Sequence, residues 1–138
     1  MVCPNCNQPK TSVTNSRPRS KDASIWRRRH CSACGFNFTT EETPVLDSHR
    51  YVHNSKLAQQ QVFSIGKLTL SIAKAFVHDL QKGSLSAYEL ARTVEQQLVG
   101  IEHQINTSTI YSLTEQTLAR FDKMAATVYA AQHGVELA

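Results

Sequence analysis

Four cysteines dominate what this chain can fold into. They stand as Cys3-x-x-Cys6 and Cys31-x-x-Cys34, two pairs at the same internal spacing with 24 residues between them. A Cys-x-x-Cys turn aims two thiolates at one point, and two such turns complete the tetrahedral sulfur shell that a structural Zn²⁺ prefers. A four-sulfur iron site is compatible with the same ligands. Two disulfides would suit a secreted chain, and a redox Cys-x-x-Cys would sit beside a βαβ pattern that is missing here. Pro4 and Gly35 fit tight turns at the two pairs.

The stretch around these cysteines has few apolar residues, chiefly Val2, Val13, Ile25, Trp26, Phe36 and Phe38, so it needs a staple to fold. A metal supplies one. Between and after the pairs, Thr11–Thr14, Ser24–Arg27 and Phe36–Thr40 read as short strands by their β-branched and aromatic content. The expectation is a zinc ribbon over residues 1–43.

Charge follows the same division. Residues 1–40 hold seven Lys or Arg against one acid, Asp22, a net +6, whereas residues 41–138 hold eight bases and ten acids, a net −2. Four thiolates and one Zn²⁺ bring the head to about +4, still basic. A basic head on a mildly acidic body points to a polyanion partner, with nucleic acid the commonest. The surplus lies at Arg17, Arg19, Arg27, Arg28 and Arg29, candidates for phosphate contacts or guanine edges. On a strand, Arg27 and Arg29 share one face and Arg28 takes the other. Trp26 reads first as packing.

The body, residues 44–138, changes to helical periodicity. Val45–Val52 reads as a strand or two. Ile65, Leu68, Ile72, Phe76 and Leu80 place an apolar stripe on a helix over 64–80. Gly83 then reads as a break, and Ser86-x-x-Glu89 as the capping box of a helix carrying Leu90, Val94 and Leu98 up to Gly100. An extended piece around Ile105 precedes a helix capped by Thr107-Ser108 with Ile110, Leu113, Thr117 and Phe121 inward. Asp122 opens a last segment with Met124, Val128 and Ala131, closed by Gly134. The fold class is therefore α+β: a β-rich ribbon followed by a mainly helical domain with a small sheet.

No nucleotide-binding glycine motif, no His-Glu-x-x-His and no other catalytic constellation occurs, so an enzyme is not expected. Glu89, Glu95, Glu102, Glu115 and Asp122 read as solvated faces. The longest hydrophobic run, Val128–Ala131, is far short of the roughly 20 residues a membrane helix requires. The N-terminus carries no secretory pattern, and a cytoplasmic, nucleoid-associated protein without a membrane partner is expected.

The head resembles that of the NrdR family, bacterial transcriptional repressors of ribonucleotide reductase operons. The residues that carry the likeness are Met-x-Cys-Pro-x-Cys at the start, Asn15-Ser-Arg-Pro18, Ile25-x-Arg-Arg-Arg-x-Cys31-x-x-Cys34 and Phe38-Thr-Thr-x-Glu42. The resemblance implies that the body is an ATP-cone, a helical module sensing ATP or dATP. It also implies that bound nucleotide sets a homo-oligomer whose paired ribbons grip boxes in promoter DNA. Two sites would then be coupled, with affinity gained by linking several ribbons on one duplex.

Within the cone, Phe63-Ser-Ile-Gly-Lys-Leu68 is similar to the family's helix entry and places Lys56, Ser64 and Lys67 at nucleotide-contacting positions. Ser55 replaces the first of two basic residues there, and Leu57-Ala58 replaces Asp-Gly. A short insertion brings Val52-His53 into register instead, which adds His53. Ile105-Asn-Thr-Ser-Thr-Ile110 resembles the cone's Ile-x-Thr-Ser-x-Ile segment, placing Thr107 and, beside it, Tyr111. The alternative reading is a zinc-ribbon protein that binds nucleic acid or the transcription machinery and keeps a degenerate cone only for oligomerisation.

Overall fold

The computed structural model describes residues 1–20, 24–46, 50–54 and 57–135. The chain divides into two compact units, Met1–Pro44 and Val45–Ala138.

In the first unit, β1 (Thr11–Pro18), β2 (Ile25–Cys31) and β3 (Asn37–Glu42) form an antiparallel sheet in the order β1-β2-β3. The strands run longer than their β-branched cores predict. Asn15–Pro18 belongs to β1 because it pairs along β2 as far as Pro18 with Ile25, and β2 carries the whole arginine run through to Cys31. A register shift between Val13 and Asn15 leaves Thr14 as an extra residue, whose hydroxyl donates to the Arg28 carbonyl at 3.2 Å. Pro18, which has no N–H to give a ladder, sits at the end of an edge strand.

The two cysteine turns are built alike. Cys3 N donates to Gln8 O and Cys31 N to Phe36 O, each at 2.9 Å, while Asn7 N and Gly35 N return to the carbonyls of Cys3 and Cys31 at 2.9 and 2.8 Å. The fifth residue of each turn takes a left-handed conformation, Asn7 at φ 56° and Gly35 at φ 74°. Glycine and asparagine are the residues that adopt it at least cost.

In the second unit, β4 (Tyr51–Asn54) pairs antiparallel with β5 (Gln59–Val62) and parallel with β6 (Ile105–Asn106). Val45 and Leu46 lie outside any strand, so the extended stretch begins later than their β propensity suggests. Four helices follow: α1 (Ile65–Ala75), α2 (Leu80–Val99), α3 (Thr107–Phe121) and α4 (Lys123–His133). The fully buried core joins Ile72 at the middle of α1, Phe76 at its end, Val94 and Leu98 of α2, Ile105, Leu118 of α3 and Tyr129 of α4.

Several helix expectations are corrected by packing. α1 stops at Ala75, and Leu80 opens α2 with 74% of its surface exposed. Gly83 does not break the chain. It lies inside α2 and is buried, and a Cβ there would stand 2.7 Å from Phe76 Cβ. A glycine that interrupts a helix by propensity is here the residue that lets α2 close on the end of α1. The cap of α2 is Asp79, which accepts from Lys82 N at 2.9 Å, so Ser86-x-x-Glu89 is mid-helix. Asn106, rather than Thr107-Ser108, stands at the cap position of α3 and makes no side-chain capping bond.

The buried stripe of α3 is Ile110, Thr114 and Leu118, with Phe121 45% exposed. Thr114 can be buried because its hydroxyl donates to Ile110 O at 2.7 Å within the helix. In α4 the inner face is Ala125, Ala126, Tyr129 and Ala130, while Met124 is exposed. Asp122 does cap α4, accepting from Met124 N and Ala125 N at 3.1 and 3.0 Å, and Gly134 ends it at φ 65°. Two of the acids read as solvated are buried: Glu95 is 4% and Glu115 2% exposed. Glu95 is matched by Arg92 Nη1 at 2.7 Å and Leu46 N at 3.2 Å, which satisfies a carboxylate out of water. No helix among the described residues is long and apolar enough to cross a membrane.

Candidate functional site

The similar turns bring the Sγ atoms of Cys3, Cys6, Cys31 and Cys34 within 4.8 Å of one another. Cys3 Sγ lies 3.7 Å from Cys34 Sγ, and Cys6 Sγ 3.7 Å from Cys31 Sγ. Sulfurs held about 2.3 Å from a central Zn²⁺ stand about 3.8 Å apart, so this donor set fits a tetrahedral zinc site. A disulfide is excluded by the same distances, since its S–S bond is about 2.05 Å.

Electrostatics in the cluster lead to the same conclusion. The Phe36 backbone N–H, followed by the Asn5 amide, holds the Cys34 thiol down to about 6, and Asn5 Nδ2 reaches Cys34 Sγ at 3.6 Å. Gln8's backbone N–H favours the Cys6 thiolate, yet desolvation and the three neighbouring thiols push Cys6 up to about 12. Four thiols this close cannot all ionise by themselves, and a divalent cation removes the conflict. Asn5 was not legible as a supporting residue, because its role depends on a contact to a cysteine 29 positions away.

Strand register sorts the arginines of the ribbon. Trp26, Arg28 and His30 alternate with Ile25, Arg27, Arg29 and Cys31, and across β1 the partners of Trp26 and Arg28 are Arg17 and Asn15. Arg17, Trp26 and Arg28 thus share the face opposite the one that carries Arg27 and Arg29. Arg27 is held by Glu42 at 2.9 Å, Arg29 Nε donates to Thr40 Oγ1 at 3.2 Å, and Arg19 meets Glu41 at 3.1 Å. Arg17 and Arg28 are exposed, and among the described residues neither meets a carboxylate. Ser24 Oγ also donates to Glu41 at 3.0 Å, which fixes the acid that engages Arg19.

The second unit has a cavity of about 180 Å³ where β4, β5, α1, α3 and α4 meet. Ser64, Lys67, Thr107 and Tyr111 all line it, from two separate stretches of sequence. Ser64 caps α1 by accepting from Lys67 N at 3.4 Å, which places that turn at the cavity mouth. His53 lies on β4 between Val52 and Asn54, and it is those two neighbours that line the cavity. His53 therefore stands on the opposite face of the strand. Lys56 lies outside the described residues.

The structure adds residues that sequence reasoning missed. Ser71, Tyr129 and His133 complete the floor of the cavity. His133 Nε2 is 2.9 Å from Ser71 Oγ, and its ring stacks on Tyr111 with centroids 4.4 Å apart. The Tyr129 hydroxyl is buried beside the hydroxyls of Thr114 and Ser71, and burial pushes its pKa up. Ser71, four residues after Lys67 on one helix face, was the only one with a local signal.

Comparison with known proteins agrees with this architecture. Residues 1–42 match the family model described as the NrdR zinc ribbon, the N-terminal domain of transcriptional repressor NrdR-like proteins. A transcriptional repressor NrdR of Nitrosomonas eutropha is 35% identical over 127 residues, covering 91% of this chain and 77% of that protein. Proteins of the same name from Exiguobacterium and Lactobacillus delbrueckii are 33% and 32% identical, each match covering 91% of this chain and 79% of the relative. With a zinc-ribbon head, an α+β body and this extent of likeness, the chain belongs to the NrdR family.

Proposed function

We propose that this protein is a transcriptional repressor that binds promoter DNA of ribonucleotide reductase genes through residues 1–43 and is regulated by ATP or dATP bound in residues 44–138. The observation that carries the reading is the pair Arg17 and Arg28, exposed on one face of a sheet whose end is tied by four cysteines. Cys3, Cys6, Cys31 and Cys34 would hold Zn²⁺, which supplies folding free energy and no chemistry of its own. A sheet so closed fixes the backbone positions from which both arginines project on one face, which suits phosphates along a duplex.

Arg19, Arg27 and Arg29 act beside them. Their partners Glu41, Glu42 and Thr40 orient these side chains, and the acids offset part of the local charge. Arg17 and Arg28 therefore contribute most of the phosphate contact, with Trp26 between them on the same face.

For the nucleotide, Lys67 supplies a cation, Ser64 and Thr107 supply hydroxyls, and Tyr111 offers an aromatic wall backed by His133. His53, on the opposite face of β4, remains a candidate only for the tail of the ligand outside the cavity, and Lys56 is a candidate on the family resemblance alone. Occupancy would set a homo-oligomeric arrangement, and that arrangement decides whether several ribbons reach one DNA together.

A mobility shift on the upstream regions of the host's reductase genes, with and without ATP or dATP, tests this reading. The expected result is a specific complex whose amount changes with the nucleotide. A complex equally strong on any duplex or on RNA, and indifferent to both nucleotides, would contradict it.

A further inference from the structure

The four sulfurs of the ribbon are alike in ligand chemistry but not in access. Cys3 and Cys31 are fully buried and Cys6 is half-buried, whereas Cys34 is exposed. Its neighbours Ser32, Ala33 and Gly35 are small and exposed, and a Cβ built on Gly35 would meet nothing within 4 Å. One side of the cluster therefore opens on solvent. We propose that Cys34 is a modification site, the thiolate through which a hydroperoxide oxidises the cluster, with Cys3 as the sulfur that closes a disulfide on it and so expels the metal.

Reactivity of a thiolate toward peroxide follows exposure, and a small neutral oxidant meets Cys34 first. The Cys34 sulfur takes one peroxide oxygen as the O–O bond breaks, and the hydroxide or alkoxide that leaves takes a proton from water. Cys34 is then a sulfenic acid. Cys3 Sγ, 3.7 Å away, attacks that sulfur and expels a second hydroxide, which is also protonated by water. Two thiolates have given up two electrons and the hydroperoxide has gained them, so no other oxidant is required. Cys6 Sγ and Cys31 Sγ are equally close, but Cys31 ends β2 and is held by its ladder, whereas Cys3 and Cys34 both lie outside the strands. With two sulfurs consumed, only Cys6 and Cys31 remain as ligands. A structural zinc needs four, so the metal leaves and the first unit loses the staple that folds it.

Asn5 acts as a brake on this chemistry. Its Nδ2 donates to Cys34 Sγ at 3.6 Å, which stabilises the thiolate and thereby lowers its nucleophilicity. The inference rests on the zinc site and not on the DNA reading. Release of DNA on oxidation follows only if the ribbon binds DNA as proposed above.

The test treats the full-length, zinc-loaded protein with hydrogen peroxide and with tert-butyl hydroperoxide. A metallochromic dye follows zinc release against a peroxide-free control, and differential alkylation with mass spectrometry maps the thiols at early times. Cys34 is expected to be modified first, the first disulfide to join it to Cys3, and one zinc to be released for every two thiols lost. Dithiothreitol with added zinc should restore both thiols and metal. Asn5 is exposed and outside the sulfur shell, so Asn5→Ala should start with the same zinc content. It is expected to release zinc roughly threefold faster, the rise for a sulfur about tenfold more basic. Zinc retained in full under excess peroxide, a first disulfide between Cys6 and Cys31, or equal modification of all four sulfurs overturns the proposal. An Asn5→Ala rate equal to the parent's overturns the brake. Zinc release as described from a protein that, before oxidation, shows no binding to reductase promoter DNA would count against the DNA reading and leave the oxidation site standing.

Discussion

Arg27 reaches Glu42 diagonally across β2 and β3 at 2.9 Å, while Arg28, the next residue, projects from the other face opposite Thr39 with no carboxylate among the described residues within 4.0 Å. Adjacent residues of one arginine run thus have different tasks. Arg28→Ala and Arg17→Ala should each weaken DNA binding and lower the slope of log K against log salt by about 1, the signature of one lost phosphate contact. Arg27→Ala should change the slope less, because Glu42 already offsets that charge. Fluorescence anisotropy of a labelled duplex over a salt series measures all three; equal slopes for Arg27→Ala and Arg28→Ala would contradict the assignment of faces.

Cys31→Ser should release the metal and unfold the first unit, since structural zinc contributes on the order of 10–16 kcal/mol at neutral pH in small modules. The four helices belong to a separate unit, so helical circular dichroism should persist. Metal content by mass spectrometry and the indole fluorescence of Trp26 follow the loss directly. Retained zinc with an unchanged Trp26 signal would oppose the four-thiolate site.

Acid sensitivity should concentrate at Asp122. The Lys82 ammonium at 2.5 Å, then the Ala125 N–H and His78, hold its carboxyl well below the usual carboxylate range. A carboxyl whose folded pKa is depressed contributes stability that is fully present above its unfolded value, about 3.9, and is lost as pH falls through the lower folded value. Asp122→Asn should therefore flatten the acid limb of the stability curve. Loss of the α4 cap by Asp122→Ala should cost about 0.5–2 kcal/mol at neutral pH. Urea denaturation at several pH values checks both; an acid limb as steep in Asp122→Asn as in the parent would exclude this origin.

Gly83→Ala tests the close approach of α2 to the end of α1. Helix propensity favours alanine by about 1 kcal/mol, but the new Cβ would stand 2.7 Å from Phe76 Cβ. The clash should win, with a net loss of about 1–3 kcal/mol in chemical denaturation. Shifting Phe76 cannot relieve it cheaply, since that ring is fully buried and meets Phe121 edge-on at 6.3 Å. A more stable Gly83→Ala protein would show that the helices part without cost.

Much of the ribbon was legible because its logic is local. Two Cys-x-x-Cys turns, a left-handed Gly35 and a dense arginine run state their purpose within a few residues. Strand length was not, since Asn15–Pro18 is extended only because β2 offers a partner along its whole length. In the helical unit, Gly83 and Ser86 were misread because their surroundings are set by Phe76 and Asp79, which local propensity does not report. Ile110 faces inward as expected, but the inner faces of α3 and α4 otherwise lie about one position away, because the small or self-satisfied Thr114, Ala125 and Ala126 share them with Leu118 and Tyr129, while Leu113 and Val128 pack only partly against the core. Of the cavity, Ser64, Lys67, Thr107 and Tyr111 were found through a family resemblance, whereas His133 became visible only when α4 folded back to Ser71.

X-ray absorption at the zinc edge of the purified full-length protein tests the central claim most directly, because the reading face exists only if a metal ties the sheet at its cysteine end. The account predicts one zinc per chain with four sulfur neighbours at about 2.3 Å and no nitrogen or oxygen ligand. A metal-free protein that keeps its ribbon folded, or a zinc shell containing fewer than four sulfurs, would contradict it.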